Sequence, residues 1–145
     1  MDYYPAFLDL RGRNCLVVGG GIIAERKVES LVECGARVMV VTREATNELA
    51  GLAQSSIIEL RLRDYASDDL AGMFLVVAAT DDPAVQARIG TEAKERGLLV
   101  NVVDDPANCT FIVPAVSRRG ELAIAISTGG RSPALAARIR EKLEV

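Results

Sequence analysis

The sequence predicts an α/β fold, namely a doubly wound, mostly parallel sheet that is followed by a C-terminal hairpin and helix. Three observations favour it. A glycine turn, Gly19–Gly21, separates the apolar run Leu16–Val18 from an amphipathic stretch. Strand-like and helix-like segments then alternate as far as Val103, which is typical of strands joined by crossover helices. The run Met73–Ala79 is continuously apolar, and Leu98–Val103 is apolar except for Asn101, as expected for strands buried on both faces.

The first unit is a strand–turn–helix with the spacing Gly19-x-Gly21-x-x-Ala24. The first glycine permits a tight turn, the second lets the backbone approach a pyrophosphate, and the small third residue lets the helix pack on the strand. N–H groups around Ile22 and Ile23 would face the phosphates with the helix dipole behind them. The segment predicts a Rossmann-like dinucleotide site, and the alternative is a glycine turn that serves packing alone.

The second strand is predicted over Arg37–Val41. Its exit, Thr42-Arg43-Glu44, is where the ribose of a dinucleotide would lie. NAD-binding versions of this fold often carry an acid at the first of these positions, whereas here the acid is displaced to Glu44. NAD is the predicted cofactor, but Arg43 suits a 2′-phosphate, so NADP stays open. The alternative for Arg43 is a solvated loop cation.

Apolar periodicity and capping residues predict the segments that flank this unit. Strands are expected over Phe7–Leu10 (at the sheet edge), Ile57–Leu62, Met73–Ala79 and Leu98–Val103. Helices are expected over Thr46–Ala53, with Thr46 as cap, and from Pro83 to about Arg96, with Asp81 or Asp82 as cap. Three strand exits with small or polar residues should meet at one edge of the sheet, where ligands bind: Gly19–Gly21, Thr80–Asp82 and Asn101–Asp105.

The pattern changes after Pro106. Ala115–Ser117 and Leu122–Ile126, joined by Arg118-Arg119-Gly120, are typical of a hairpin. A second glycine loop, Gly129–Pro133, leads into an apolar-striped helix, and it is either a connector or an anion site. We predict an NAD-binding domain over residues 1–113 and a dimerisation segment over residues 114–145, which would form a homodimer.

The composition narrows the class of protein. At 145 residues the chain is one domain by size. A net charge of −3 and the lack of a basic run argue against nucleic acid. No apolar stretch approaches the roughly 20 residues of a membrane span, and the N-terminus lacks the basic region of a signal peptide. Cys15, Cys34 and Cys109 have no metal or redox spacing, which indicates reduced thiols and a cytoplasmic protein.

The sequence contains no histidine. This removes the commonest general base and the commonest nitrogen ligand for metals. No metal site is predicted, and acid–base chemistry falls to carboxylates, lysine, tyrosine or a thiol.

Several segments, in their order along the chain, resemble one known family. They are YYPAFLDLRGRNCLVVGGGIIAERK, GARVMVV, VVAATDD, NVVDDP, FIVPA and ISTGGRSPALA. The family is precorrin-2 dehydrogenase/sirohydrochlorin ferrochelatase, the N-terminal module of siroheme synthase, and the resemblance covers nearly the whole chain. It implies NAD-dependent oxidation of precorrin-2 to sirohydrochlorin, in some members insertion of ferrous iron to give siroheme, and a homodimer that shares its C-terminal part.

The resemblance also implies roles for individual residues. Those that would hold NAD are Gly21, Ile22, Ile23, Arg43, Glu44 and Thr80, to which the motif itself adds Gly19 and Thr42. The functional aspartate of the family falls on Asp104, in NVVD. Its phosphorylatable serine falls on Thr128, with Ser127 beside it.

Oxidation of the macrocycle requires loss of a proton as well as a hydride. With no histidine, a carboxylate at a strand end is the best proton acceptor, and Asp104 follows a buried strand. The same carboxylate suits a pyrrole proton that is lost when a metal enters. The alternative is that Asp104 only forms the turn before Asp105. The substrate carries many carboxylates, and the candidates to bind it are Asn101, Arg118, Arg119 and Arg131.

Two other interpretations stay open. One is a non-catalytic NAD-sensing module of the kind that gates transporters, although such modules usually keep an acid where this chain has Thr42. The other is the nucleotide half of a larger dehydrogenase, against which the distinct hairpin and helix argue. Family members also continue with a helical segment beyond the position of Val145. The resemblance therefore implies either an incomplete tetrapyrrole pocket or a shortened piece of the family's module, and chelatase activity is the expectation most affected.

Overall fold

The computed structural model describes residues 2–144 and divides the chain into two compact units. One unit is Phe7–Thr110, and the other combines the N-terminal residues up to Ala6 with the chain from Phe111 onward. In the larger unit strands and helices alternate: β1 Asn14–Val18, α1 Ile22–Glu33, β2 Arg37–Thr42, α2 Asn47–Gln54, β3 Glu59–Leu62, β4 Leu75–Ala78, α3 Pro83–Glu95 and β5 Leu99–Val102. Short 3₁₀ turns at Ser67–Leu70 and Pro106–Asn108 follow β3 and β5.

The five strands form a parallel sheet in the order β3-β2-β1-β4-β5. The order reverses between β1 and β4, so the glycine turn that follows β1 lies at the switch point of the sheet. Helix α1 packs on β1 and β2, and α3 packs on β4 and β5. The predicted doubly wound parallel sheet is confirmed.

The core of the larger unit lies along the central strands. Leu16 of β1, Val76 of β4 and Val100 of β5 are fully buried, as is Ile89 of α3. Every residue of β4 is buried, which explains why its sequence shows no polar alternation.

The edge strand expected over Phe7–Leu10 does not form. The expectation placed it beside β1, but β1 is already paired with β2 on one side and β4 on the other. A central strand has no free ladder of hydrogen bonds to offer. Leu10 is instead buried as part of the turn that leads into β1, where Arg13 donates its N–H to the Leu10 carbonyl at 2.9 Å.

The smaller unit contains an antiparallel hairpin, β6 Ala115–Arg119 and β7 Leu122–Ile126, and helix α4, Pro133–Leu143, which packs on both strands. This confirms the predicted hairpin and helix. The turn is shorter than expected, because Arg118 and Arg119 belong to β6 and pair with Ala123 and Leu122. Among residues 2–144, no helix is long and apolar enough to cross a bilayer.

Candidate functional site

Four strands end in register at one edge of the sheet. Val18 pairs with Val41 on one side and with Ala78 on the other, and Ala78 pairs with Val102. The segments that follow these strands contain most of the predicted site residues. The register therefore brings the exits of β1, β2, β4 and β5 to the same carboxyl edge.

The glycine turn closes tightly over the neighbouring strands. The N–H of Gly19 donates to the Val41 carbonyl at 3.0 Å, and the N–H of Ala79 donates to the Val18 carbonyl at 2.8 Å. Gly19 has a φ of +128°, and a Cβ at this position would lie 2.3 Å from the Ala79 carbonyl oxygen. Both the backbone conformation and the space exclude a side chain here.

The sequence interpretation overlooked Gly20, which joins the turn to the loop after β2. A Cβ on Gly20 would lie 1.9 Å from the Glu44 carbonyl oxygen and 2.6 Å from Oγ1 of Thr42. The Thr42 hydroxyl donates to that same carbonyl at 2.7 Å. The turn and the loop therefore pack backbone against backbone. The middle glycine of an unbroken run of three was the signal that such a close approach exists.

The start of α1 differs from the starts of the other α-helices in the described chain. Thr46, Asp82 and Ser132 each accept a hydrogen bond from the first turn of α2, α3 and α4, respectively. Helix α1 begins after Gly21 and has no such side-chain cap. Its first intrahelical bond runs from the N–H of Glu25 to the Gly21 carbonyl, so the N–H groups before Glu25 have no partner within the helix.

This helix start fits the pyrophosphate of a dinucleotide. Nothing lies within 4 Å of the position that a Cβ on Gly21 would occupy, so the approach is open. Uncapped N–H groups and the helix dipole favour an anion there. Ile22 and Ile23 are exposed, whereas Ala24 is fully buried, so the small third residue of the motif lies where the helix packs against the sheet.

At the exit of β2, Arg43 has a partner that the sequence did not reveal. Its guanidinium makes a two-pronged ion pair with Asp64: Nε donates to Oδ1, and Nη2 donates to Oδ2 at 3.0 Å. The hydrogen bonds with Arg43 lower the pKa of the Asp64 carboxyl and raise the pKa of Arg43. The two residues are 21 positions apart and meet only because β3 lies beside β2.

The exit of β4 is held by Gln86 of α3, a second residue that the sequence interpretation missed. The Gln86 amide donates to the Ala78 carbonyl at 3.0 Å and accepts from the N–H of Thr80 at 3.2 Å. Asp82, rather than Asp81, caps α3. A cavity of about 280 Å³ lies between the exits of β4 and β5, and its lining includes Thr80, Gln86 and Asp105.

The two aspartates after β5 have different surroundings. Asp105 accepts a hydrogen bond from the Asn108 side chain at 2.6 Å and so stabilises the short turn that follows. Asp104 is exposed and has a φ of +62°, in the left-handed region that aspartate tolerates better than most residues. The carboxylate of Asp104 interacts electrostatically with the half-buried Lys27 of α1. Burial lowers the pKa of Lys27, and the negative charge of Asp104 opposes that lowering. Asn101, within β5, is buried.

The remaining predicted residues belong to the smaller unit. Arg118 and Arg119 line a groove of about 130 Å³ between the hairpin and the end of α4. Arg131 lies in the second glycine loop. Two hydroxyl side chains there stabilise the backbone of the loop by accepting hydrogen bonds from N–H groups. Ser127 accepts from the N–H of Gly129 at 3.0 Å, and Thr128 accepts from the N–H of Ser132 at 2.7 Å.

Comparisons with known families cover both units. Residues 6–115 match the family described as putative NAD(P)-binding, and residues 119–145 match the family described as sirohaem biosynthesis protein central. The siroheme synthase of Pseudomonas entomophila (strain L48) is 50% identical over 144 residues, which are 99% of this chain and 31% of that protein. The siroheme synthase of Methylococcus capsulatus is 45% identical over 99% of this chain and 30% of its own length. The chain thus spans about a third of the curated relatives that it matches.

Solved structures agree. The structure of SirC, precorrin-2 dehydrogenase, superposes with a TM-score of 0.86 at 35% identity, covering 97% of this chain and 69% of that one. The apo-structure of D-lactate dehydrogenase from Escherichia coli superposes with a TM-score of 0.50 at 12% identity over 64% of this chain and 29% of its own. The second likeness concerns the fold alone.

Proposed function

Because this chain belongs to the precorrin-2 dehydrogenase family of NAD(P)-binding proteins, we propose that it oxidises precorrin-2 to sirohydrochlorin with NAD as the oxidant. One observation carries the proposal: this chain superposes on SirC over 97% of its length, which points to the substrate. The uncapped helix start at the switch point of the parallel sheet supports it, because it provides a place for the dinucleotide.

The residues of the glycine turn would bind the cofactor. The N–H groups of Ile22 and Ile23 would donate to the pyrophosphate, which approaches over Gly21. Thr42, Arg43 and Glu44 follow β2, where the adenosine ribose lies in this fold. Thr80 follows β4 and would flank the nicotinamide, which, when bound, supplies the acceptor for a hydride.

Asp104 would take up the proton that leaves the macrocycle. Its exposed position after β5 leaves the carboxylate accessible, and its left-handed backbone conformation is the kind of strain that is often found at functional sites. The half-buried Lys27 of α1 places a positive charge within electrostatic range of this carboxylate. A general base positioned in this way contributes roughly 10²–10⁴-fold to a rate.

The carboxylates of the tetrapyrrole would meet arginines of the smaller unit, namely Arg118, Arg119 and Arg131. Asn101, the other candidate from the sequence, is buried within β5 and is not included among them. The proposal includes a homodimer formed through the smaller unit, since Leu122 on β7 and Leu135 and Leu143 on α4 expose apolar side chains. It also includes a cytoplasmic location, in keeping with the thiol state of Cys15, Cys34 and Cys109.

The family resemblance implies a second step, in which ferrous iron is a substrate that is inserted into sirohydrochlorin, and the name siroheme synthase of two relatives agrees with it. Two pyrrole protons leave as the metal enters, and Asp104 would accept one of them. This step depends on the same carboxylate as the oxidation, so one set of variants examines both.

The test is to mix the purified protein with precorrin-2 and NAD, with and without ferrous or cobaltous ions. We expect NADH and sirohydrochlorin to form in equal amounts, and the metal complex to form only when a metal ion is added. NAD binding without any sirohydrochlorin would favour the alternative, a non-catalytic NAD-sensing module. Oxidation without metal insertion would restrict the function to the dehydrogenase.

A further inference from the structure

The arginine and aspartate after β2 and β3 are brought together by the sheet itself. Thr42 pairs with Leu62 at the end of the ladder, and the N–H of Arg63 donates to the Thr42 carbonyl at 2.9 Å. This extra bond continues the pairing past β3 and brings Asp64 beside Arg43. The two-pronged geometry of the ion pair therefore rests on backbone pairing and not on a chance meeting of surface side chains.

The other arginines of this edge are also paired with carboxylates. Arg63 donates to both oxygens of the buried Asp69, at 2.9 and 2.6 Å. Arg61 makes an ion pair with Glu59 at 2.7 Å. Among the described residues of β2, β3 and their exits, each arginine after Arg37 thus has its charge opposed by an acid. Asp82 also interacts electrostatically with Arg43, and a further acid, Glu44, comes directly after Arg43 in the sequence.

These pairings bear on the choice between the two nicotinamide dinucleotides. The 2′-phosphate of NADP would lie at the exit of β2, and arginine binds phosphate through the same two-pronged donor pattern with which it binds a carboxylate. The donors of Arg43 are engaged by Asp64. A 2′-phosphate would have to displace that carboxylate and then remain close to it, so like charges would oppose the exchange. NAD presents only neutral hydroxyls at this place.

We propose that Asp64 is a specificity-determining residue, which selects NAD over NADP by occupying the guanidinium of Arg43. The proposal rests on the proposed function only in placing a dinucleotide on the glycine turn. The ion pair is exposed and so contributes little to folding. Its effect is on which anion the guanidinium can bind.

The experiment measures binding of NAD and NADP to the purified protein and to Asp64→Asn by calorimetric titration, without any tetrapyrrole. Asparagine keeps the size of the side chain and removes its charge. We expect the parent protein to prefer NAD, and Asp64→Asn to raise the affinity for NADP relative to NAD by about tenfold, since a charge-assisted pair with the phosphate becomes available. The gain should shrink as ionic strength rises, because the interaction is exposed to solvent.

Two further variants define the cause. Arg43→Gln combined with Asp64→Asn should abolish the gain, because the phosphate then has no guanidinium to bind. Glu59→Gln breaks the Arg61 pair on the same strand and should leave the preference as it is in the parent. NAD binding with an unchanged preference in Asp64→Asn would overturn this inference alone. A protein that binds neither dinucleotide would overturn it together with the proposed function.

Discussion

The carbonyl oxygen of Gly20 accepts a hydrogen bond from the N–H of Thr46 at 3.0 Å. This bond ties the glycine turn after β1 to the residue that caps α2. Together with the contact between Gly20 and the Glu44 carbonyl, it makes the glycine turn and the loop after β2 one packed assembly.

Gly20→Ala is therefore expected to destabilise the fold. The added Cβ would collide with backbone, which cannot rotate away, and overpacking of this kind typically lowers the free energy of unfolding by about 1–3 kcal/mol. Urea denaturation of the two proteins measures the difference. Gly51→Ala in α2 is the control: nothing lies within 4 Å of its Cβ position, so it should be neutral or slightly stabilising. A Gly20→Ala protein as stable as the parent would show that the loop yields easily.

Gly21→Val should have the opposite profile. Its Cβ would point into open space and its backbone conformation is ordinary, so the fold should persist. The side chain would instead occupy the approach to the uncapped start of α1. We expect the dissociation constant for NAD to rise at least about tenfold, a loss of roughly 1.4 kcal/mol, in a titration at constant ionic strength. An unchanged NAD affinity would place the pyrophosphate elsewhere.

Asp104→Asn should bind NAD normally and lose about 10²–10⁴-fold in the rate of sirohydrochlorin formation. Asparagine suits this test because it tolerates the left-handed conformation at position 104 as well as aspartate does. The folded structure should therefore survive while the proton acceptor is lost.

Asp105→Asn is the matched control. Asp105 accepts from the Asn108 side chain, so its replacement should change stability more than rate. If Asp105→Asn formed no sirohydrochlorin and Asp104→Asn formed it at the parent rate, Asp105 would be the proton acceptor. Two active variants would mean that the protein acts mainly by positioning cofactor and substrate.

Glu92 should make the stability of the larger unit depend on pH. Burial raises the pKa of its carboxyl, but hydrogen bonds outweigh burial and leave the pKa below the ordinary value of 4.5. The donors are the Tyr65 hydroxyl at 2.6 Å, Nε of Arg88 at 2.8 Å and the Ser67 hydroxyl at 2.9 Å. Because the folded-state pKa is lowered, this stabilisation is fully present above about pH 4.5 and is lost as the pH falls through the folded-state pKa.

Glu92→Gln is expected to lower the free energy of unfolding by about 1–3 kcal/mol at pH 7, and by less as the pH falls through the folded-state pKa of Glu92, where the parent loses the same contribution. Urea denaturation at several pH values measures the difference. Glu95→Gln, an exposed acid at the end of the same helix, should shift stability little at any pH. A difference between parent and Glu92→Gln that does not change with pH would contradict the assignment.

The proposed homodimer predicts a mass in solution of twice the 15.5 kDa chain, measured by sedimentation at micromolar concentration. Leu122→Glu places a charge on the exposed apolar surface of β7 and should shift the protein toward monomer. Leu62→Glu on β3 is equally exposed but belongs to the other unit, and it should leave the dimer intact. A parent protein that sediments as a monomer would count against the dimer.

The parts of the fold that local signals determine were predictable. Thr46 caps the helix that it was expected to cap, because capping depends on residues three positions apart. Two other features depend on which strands and helices become neighbours. They are the ion pair of Arg43 with Asp64, and the two hydrogen bonds of the Gln86 side chain to the backbone at the end of β4. No local pattern carries that information. The expectation for Phe7–Leu10 was wrong for the same reason, since apolar residues near β1 do not reveal that both sides of β1 are taken.

The uncapped start of α1 would couple binding of the proposed dinucleotide to the stability of the larger unit. A ligand that completes the hydrogen bonding of the first turn binds only the folded chain, so at a concentration 100 times its dissociation constant it raises the free energy of unfolding by about 2.7 kcal/mol. The amide protons of Ile22 and Ile23 would exchange with solvent deuterium faster in the empty protein than in the loaded one. Cellular supply of the dinucleotide would then set how long each copy survives proteolysis, because proteases cleave the opened state.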